Sequence, residues 1–227
     1  MTMARGAWNR DSSRAGEETR SQLIHAALAL FGAKGFDATS TREIASAANA
    51  NIASIAYHFG GKEGLRAACA DHVAEQLGRI IGDVVLKSDP GGDPDKALKI
   101  IENAISSALG FLLSQPQARD IASFVMSEIN RPGAVFEALY TEVFEPVHTK
   151  ICEFLGLATG RDPKDEVIRL GVFTFIGQLL YFRIGHFIVA RRMEWETIGP
   201  AEIEAIRSVV LSNIRAFVAA NKTGAGS

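Results

Sequence analysis

Apolar residues recur at helical spacing along nearly the whole chain, as with Leu23, Ala27 and Phe31, which are four residues apart. Strand-type alternation is absent, and no hairpin dipeptide separates alternating runs. Together with the Pro- and Gly-containing breaks, the pattern predicts an all-α chain with helices at residues 18–34, 41–48, 52–58, 62–87, 95–114, 117–129, 133–157, 165–192 and 201–220. Pro146 lies inside the seventh helix and is expected to kink it.

The joint between the first two helices carries specific signals. Gly35 stands where a left-handed C-terminal cap belongs, and Phe36 can then fold back onto Phe31. Ser40 and Glu43 have the spacing of a capping box at the start of the second helix. The first helix is therefore expected to end sharply and the second to begin with a satisfied cap.

The next joint is a tight turn. Asn49 tolerates the left-handed conformation, and Asn51 can cap the following helix. That helix is expected to bury Ile52, Ile55 and Phe59 and to leave its small and polar residues outside. Two short helices joined in this way form a helix-turn-helix unit.

The outward face of residues 52–58 suits the major groove of DNA. Its alanines can touch thymine methyl groups, whereas Asn51 and Ser54 can reach base edges. Tyr57, His58 and Lys62 suit phosphate oxygens. The predicted DNA-binding residues are Ser40, Thr41, Arg42, Asn51, Ala53, Ser54, Tyr57, His58 and Lys62. On this pattern alone, a helical domain that binds no DNA is an equally good interpretation.

Composition adds limits rather than a function. Of the 227 residues, 47% are hydrophobic and 22% are charged, which is typical of a globular protein with a real core. The net charge of −2 divides into +2 for residues 1–66, with 8 basic and 6 acidic residues, and −4 for the remainder, with 16 basic and 20 acidic residues. This asymmetry is a weak hint of nucleic-acid binding by the first part.

A cytoplasmic location and no membrane span are expected. Two cysteines cannot form a disulfide framework, and the polar first twenty residues lack a secretory signal. The most apolar stretch, 170–190, contains Gln178, Arg183 and His186, which favours a buried helix over a membrane span.

Catalytic and metal-binding patterns are thin. His72 and Glu75 supply only two ligands of a metal site, and the aspartates of residues 89–95 lack the spacing of a calcium loop. Neither a glycine-rich phosphate loop nor a Gly-x-Ser-x-Gly elbow is present. The chain is therefore predicted to be no enzyme, with no catalytic residue, no metal site and no cofactor.

The segment TREIASAANANIASIAYHFGGKEGLRAACA resembles the DNA-binding region of the TetR family of bacterial transcriptional regulators. The features that carry the resemblance are the helix start at 41–45, the Tyr-His-Phe triplet at 57–59 and Lys-Glu-Gly-Leu at 62–65. Four positions depart from the family's usual residues: Asn49 replaces a glycine, Ala50 a valine, Gly61 a serine cap and Ala56 a polar residue.

Residues 175–185 resemble the CecR-like subgroup of the same family, which implies a repressor linked to transport or drug-tolerance genes. The family resemblance implies an Ω-shaped homodimer that faces a palindromic operator and pairs through helices 165–192 and 201–220. The apolar character of 165–192 agrees, since such a helix must be covered on all sides. Gly171, Gly177 and Gly185 would permit close helix approach, either across the dimer or within one subunit.

The second part concentrates aromatic residues with a few polar groups among them, which suggests a pocket for a small apolar or aromatic effector. The predicted ligand-binding residues are Phe124, Glu128, Tyr140, Gln178, Phe182, Arg183 and His186. An alternative is that Arg183 and Glu128 pair with each other or across the dimer, since buried charges need partners.

The expected organisation is a disordered arm at 1–16, a helix-turn-helix domain at 17–66, an effector-binding and dimerisation domain at 67–221 and a disordered tail at 222–227. The predicted function is a repressor released from its operator when an effector shifts the helix at 62–87. The alternatives are a helical interaction module, and a regulator that responds to a partner protein.

Overall fold

The computed structural model describes residues 5–223, with side chains from residue 14 onward. Within that range every regular element is helical. The elements are α1 (Arg5–Lys34), α2 (Thr41–Ala47), α3 (Ala53–Phe59), α4 (Lys62–Leu77), a π-helical turn (Gly78–Gly82), α5 (Asp83–Leu86), α6 (Pro94–Ser114), α7 (Gln117–Asn130), α8 (Ala134–Leu139), a second π-helical turn (Tyr140–Phe144), α9 (Glu145–Thr159), α10 (Glu166–Ile184), α11 (His186–Met193) and α12 (Pro200–Asn221).

Both ends of the described chain are more ordered than expected. Helix α1 begins at Arg5 instead of residue 18, because the added segment contains no proline and two glycines only weaken a helix. Beyond α12, the Thr223 amide donates to the Thr159 carbonyl at 2.8 Å, and the Thr223 hydroxyl donates to the Gly160 carbonyl at 2.7 Å. The start of the predicted tail is thereby held, while residues 1–4 and 224–227 lie outside the described range.

Three predicted helices are interrupted. The π-helical turns divide 62–87 and 133–157, and the second turn ends just before Pro146, which lacks the N–H needed to continue the helical ladder. The predicted helix 165–192 breaks at Gly185, between α10 and α11. A Cβ there would lie 2.9 Å from the Tyr181 carbonyl oxygen, so only glycine fits this break.

The chain forms two compact units. The N-terminal unit extends to Ala74 and includes Asp120–Leu139, and the C-terminal unit comprises Glu75–Arg119 and the chain from Tyr140 onward. The division differs from the predicted boundary at residue 66, because most of α7 belongs to the N-terminal unit, where it packs against α1. At Gly32 of α1 a Cβ would lie 2.8 Å from the Ser123 Cβ, and Phe124 is fully buried.

The core of the C-terminal unit lies among α6, α9, α10 and α12. Ile101, Leu155, Ile168 and Val210 are fully buried there because each occupies the inward face of its helix. Helices α6 and α10 are also long and apolar enough to span a membrane, but two such helices are weak evidence and core helices meet the same criterion.

Candidate DNA-binding site

The joint between α1 and α2 has the predicted geometry. Gly35 has φ +80°, and the Phe31 and Phe36 rings lie 5.4 Å apart. The Glu43 amide donates to the Ser40 hydroxyl at 3.1 Å, and the Ser40 amide donates to the Glu43 carboxylate at 2.9 Å, which confirms the capping box. Lys34 donates to the same carboxylate and, with the Ser40 amide, lowers the pKa of Glu43 to about 2.

The turn between α2 and α3 also has the predicted conformation. Asn49 has φ +50°, and the Asn51 side-chain oxygen accepts from the Ala53 amide at 2.9 Å. This hydrogen bond leaves the Asn51 side-chain NH₂ group as a donor on an exposed residue. The residue can therefore cap α3 and still donate to a base edge.

Helix α3 turns one face to the core and one to solvent. Ile55 is buried as predicted, and Phe59 is partly buried beneath the Arg20 guanidinium, 5.4 Å from its ring centroid. The prediction for Ile52 is wrong, since 45% of this residue is exposed. It precedes the first full turn of α3, so no helical turn directs it inward.

The outward face of α3 carries the predicted base-reading and phosphate-binding residues. Tyr57 is 85% exposed, Ala53 is exposed, and Ser54 and His58 are partly exposed. In α2, Arg42 is exposed and Thr41 is partly exposed. A helix with small side chains at its start and polar ones at its end can enter the major groove.

Ser40 differs from the other predicted contacts. Its hydroxyl donates to the Glu43 carboxylate at 2.9 Å, and its amide donates to the same carboxylate. Because both donors are engaged in the capping box, a phosphate contact from Ser40 would require breaking the cap.

A close approach joins α3 to α4. Gly60 ends α3 with φ +72°, and the chain re-enters a helix at Lys62. At Gly64 an added Cβ would clash with the Phe59 carbonyl oxygen. The junction therefore requires glycine at this position and fixes where Lys62 begins its helix.

Charged side chains of the first two turns of α4 contact the Phe36 ring and Glu128. The Lys62 ammonium lies 4.2 Å from the centroid of the Phe36 ring, and the Arg66 guanidinium carbon lies 4.7 Å from it. Arg66 also forms two hydrogen bonds to the Glu128 carboxylate, at 2.9 and 2.6 Å. Only 2% of Glu128 is exposed, so this ion pair is largely desolvated.

The sequence predicts Glu128 either as an effector contact or as a partner of Arg183. In the structure its carboxylate forms an ion pair with Arg66 of α4, within the N-terminal unit. A carboxylate in an apolar helix signals that a cation must lie nearby. The cation lies 62 residues earlier in the chain, so the sequence carries no signal that identifies it.

The predicted effector residues do not all lie in one unit. Phe124 and Glu128 are buried in the N-terminal unit, whereas the other five belong to the C-terminal unit. Gln178 accepts a hydrogen bond from Asn213 of α12 at 2.9 Å. The His186 ring lies 3.2 Å from the Arg183 carbonyl oxygen. The other predicted members are Tyr140, which is 43% exposed, and Phe182, which is partly buried.

Helix α10 carries a stripe of residues that are apolar and exposed within one chain, on the helix for which the sequence predicts cover by a partner subunit. The stripe continues into α11 and comprises Val167, Leu170, Phe173, Tyr181, Ile184, Phe187 and Ile188. Gly171 packs within the subunit, since a Cβ there would lie 2.5 Å from the Phe217 ring. A Cβ at Gly177 would meet no atom within 4 Å.

The cysteines are buried within their units. Cys69 lies against the Ile24 carbonyl, and burial raises the pKa of its thiol. Burial also raises the pKa of Cys152. No group of three or more His, Cys, Asp or Glu side chains among the described residues could hold a metal ion.

Two family models match the chain. The family described as bacterial regulatory proteins, tetR family, matches residues 23–69. The C-terminal domain of the HTH-type transcriptional dual regulator CecR matches residues 97–221. These ranges correspond to the helix-turn-helix region and to most of the remaining chain.

Related proteins agree with the family models. The HTH-type transcriptional dual regulator CecR of Shigella flexneri is 33% identical over 88% of this chain and 91% of its own length. The regulatory protein RaaS of Mycobacterium tuberculosis is 40% identical over 72% of this chain and 71% of its own length.

Solved structures share the fold. AibR in complex with isovaleryl coenzyme A and operator DNA has a TM-score of 0.66 and 15% identity, over 86% of this chain and 97% of that one. A TetR-like regulator from a Rhodococcus species has a TM-score of 0.62 and 19% identity, over 88% and 96% of the two chains. TetR-family regulators bind operator DNA and act as dimers. This chain therefore belongs to the TetR family as a DNA-binding transcriptional regulator, with a C-terminal domain of the CecR type.

Proposed function

We propose that this protein is a repressor that binds a palindromic operator as a dimer and is released by a small apolar or aromatic effector. The observation that carries the DNA-binding part is the outward face of α3, where Tyr57 is 85% exposed beside small side chains. The helix lies between two capped joints, so its direction is fixed before DNA arrives.

We assign the predicted contacts to two roles. Asn51, Ala53 and Ser54 at the start of α3 read base edges, and Tyr57, His58 and Lys62 contact backbone phosphates. Thr41 and Arg42, at the start of α2, contribute further backbone contacts. Ser40 acts mainly by capping α2, because both of its donors bond to Glu43.

The dimer interface is assigned to α10, α11 and α12. Exposed leucine, phenylalanine and isoleucine side chains along one face of α10 and α11 suit burial against a second copy. A second copy would cover the face of α10 that is exposed within one chain. The dimer would then present two α3 helices, one to each half of the operator. We expect the dimer of this family to have the Ω shape implied by the sequence resemblance.

The effector site is assigned to the C-terminal unit, near Phe182, Arg183 and His186. Phe124 and Glu128 contribute to the N-terminal unit and so would respond to the effector without binding it. The division between the units falls inside α4 and inside α7, so an effector that prefers one arrangement of these helices would change operator affinity. A loss of 5–150-fold corresponds to a coupling free energy of roughly 1–3 kcal/mol.

Two further functions are supported by specific observations. The name of the Shigella relative describes a dual regulator, so activation at some promoters is a second candidate function. A regulator that responds to a partner protein in place of a small effector is a third, if the exposed Phe187 and Ile188 of α11 lie outside the dimer contact. In all three candidate functions the protein binds operator DNA in the cytoplasm.

The test is gel-shift binding to DNA fragments upstream of the protein's own gene and its neighbours, at two salt concentrations. We expect specific retardation that competitor DNA does not abolish. Arg42→Gln is expected to weaken it, while Arg79→Gln, a matched change of an exposed arginine in the C-terminal unit, is not. A transcription assay with the retarded fragment then separates repression from activation.

Complete absence of binding at low salt would contradict the proposal and favour the helical interaction module. Equal operator affinity with and without every candidate effector, together with capture of a specific protein by the folded dimer, would favour the partner-protein alternative.

A further inference from the structure

Phe36 lies in the loop between α1 and α2, at the end of a helix whose left-handed cap turns the ring back toward the core. Two cations from successive turns of α4 contact this ring, Lys62 at 4.2 Å and Arg66 at 4.7 Å from its centroid. An aromatic face attracts cations electrostatically at such distances. The loop before α2 is thereby joined to the first turn of α4.

The two cations differ in their other partners. Arg66 is held by two hydrogen bonds to the buried Glu128 carboxylate, which neutralises its charge. No ion pair between described residues includes Lys62. The Lys62 side chain is thus ordered by the ring but keeps its full positive charge for an external anion.

We propose that Phe36 is a positioning residue for DNA binding, holding the Lys62 ammonium where it meets a backbone phosphate. The Arg66–Glu128 pair keeps the neighbouring guanidinium on the same ring and out of competition for that phosphate. This inference rests on the proposed assignment of Lys62 as a phosphate contact.

The physical basis is preorganisation. A free lysine side chain has many rotamers, and a phosphate contact requires restricting them. A ring that already restricts the position of the ammonium lowers this cost without neutralising the charge. The ring therefore affects affinity for DNA only when Lys62 is present, which distinguishes positioning from a general effect on folding.

The experiment is a double-mutant cycle with Phe36→Leu, Lys62→Gln and the combined variant in the full-length protein. Affinity for a mixed-sequence duplex DNA is measured by fluorescence anisotropy over a series of salt concentrations, because phosphate contacts do not depend on base sequence. Lys87→Gln, in a lysine of the C-terminal unit, is the charge-matched control.

Lys62→Gln is expected to lower the salt slope by about 1, and Phe36→Leu to weaken binding about 2–5-fold. In the Lys62→Gln background, Phe36→Leu is expected to have no further effect, and Phe36→Tyr is expected to retain wild-type affinity. Thermal unfolding checks that each variant is folded. Phe36→Met, which keeps an apolar contact without an aromatic face, provides the same cycle if Phe36→Leu unfolds the protein.

Two results overturn the inference in distinguishable ways. If Lys62→Gln leaves the salt slope unchanged, the phosphate assignment in the proposed function is wrong and the inference fails with it. If Lys62→Gln lowers the salt slope but Phe36→Leu weakens DNA binding by the same factor with and without Lys62, the ring affects binding through the stability of the fold. Only the positioning role is then wrong.

Discussion

The two compact units leave very different faces exposed. In the N-terminal unit the large side chains Phe31 and Phe124 are buried, and α3 presents small and polar residues with one exposed tyrosine. In the C-terminal unit, Leu170 and Phe173 are more than half exposed along α10. The first face is suited to a polar, charged surface such as DNA, while the second is incomplete without apolar cover.

Each unit also contains a buried carboxylate joined to an arginine of another helix, but the two pairs differ in depth. Glu128 accepts two hydrogen bonds from Arg66, whose side chain is only 23% exposed. Glu102 of α6 accepts one from Arg215 of α12, whose side chain is 57% exposed. If the pair is broken, water can therefore solvate the charge of Arg215 much better than the charge of Arg66.

The largest expected effect comes from the α3–α4 junction. Gly64→Ala would place a Cβ in collision with the Phe59 carbonyl oxygen, so the backbone must move. We expect the N-terminal unit to lose more than about 4 kcal/mol and DNA binding to be abolished, with dimerisation retained. Denaturant unfolding, anisotropy and sedimentation measure the three quantities.

Gly110→Ala is the matched control, because its Cβ would meet no atom within 4 Å in a helical segment. It should be neutral or stabilising by up to about 1 kcal/mol. If Gly64→Ala behaves like this control, the close approach at the junction is wrong.

The next effect comes from the deeper ion pair. Glu128→Gln leaves the Arg66 charge largely uncompensated, and we expect a loss of about 3 kcal/mol in the free energy of unfolding of the N-terminal unit. Glu153→Gln removes a carboxylate from a surface pair with Lys150 and should change stability by less than about 1 kcal/mol. Equal losses in the two variants would mean that Glu128 is not desolvated in solution.

Local signals explain why the joints between the first three helices could be predicted closely from the sequence, although the start of α1 was not. The left-handed cap at Gly35, the Ser40–Glu43 box and the turn at Asn49 each depend on residues a few positions apart. Side-chain chemistry at that range directly limits the backbone. Ile52 was predicted to be buried but is 45% exposed. Its hydrophobic side chain is a local signal, and it does not show whether another helix packs over that position.

Long-range partners could not be predicted in this way. The Arg66–Glu128 pair joins residues 62 positions apart and connects α7 to α4 within the N-terminal unit. Similarly, the break at Gly185 lies in an apolar stretch without a proline, and from the sequence this glycine is interpreted as a site of close helix approach. The predicted DNA-binding and effector residues remain predictions until binding is measured.

The exposed face of α10 is tested by Leu170→Ser, which removes an apolar side chain that is 54% exposed. If a second copy covers it, the dimer loses contacts from both subunits, and we expect the dimer dissociation constant to rise at least 10-fold. The control is Leu86→Ser, at a 45% exposed leucine of α5, which should leave the dimer dissociation constant unchanged. Sedimentation across a concentration series measures both.

Gly177→Ala sharpens the same test. Within one chain its Cβ would meet no atom within 4 Å, so the helix alone should gain stability. Weaker dimerisation of this variant would show that a partner helix approaches closely at Gly177. Unchanged dimerisation of both Leu170→Ser and Gly177→Ala would contradict the assigned interface.

The smallest expected effect comes from the shallower ion pair. The hydrogen bond from Arg215 holds the pKa of Glu102 below its ordinary value of 4.5. Because the folded state binds this proton more weakly, the stabilisation is present above pH 4.5 and is lost as pH falls through the lowered pKa. Glu102→Gln should cost about 1 kcal/mol at pH 7, since Arg215 remains half solvated, and progressively less below pH 4. Denaturant unfolding of both proteins at pH 7 and pH 3 measures the difference. A gap that stays constant with pH would mean that the pair contributes through packing rather than charge, and the contrast with Glu128 would then rest on burial alone.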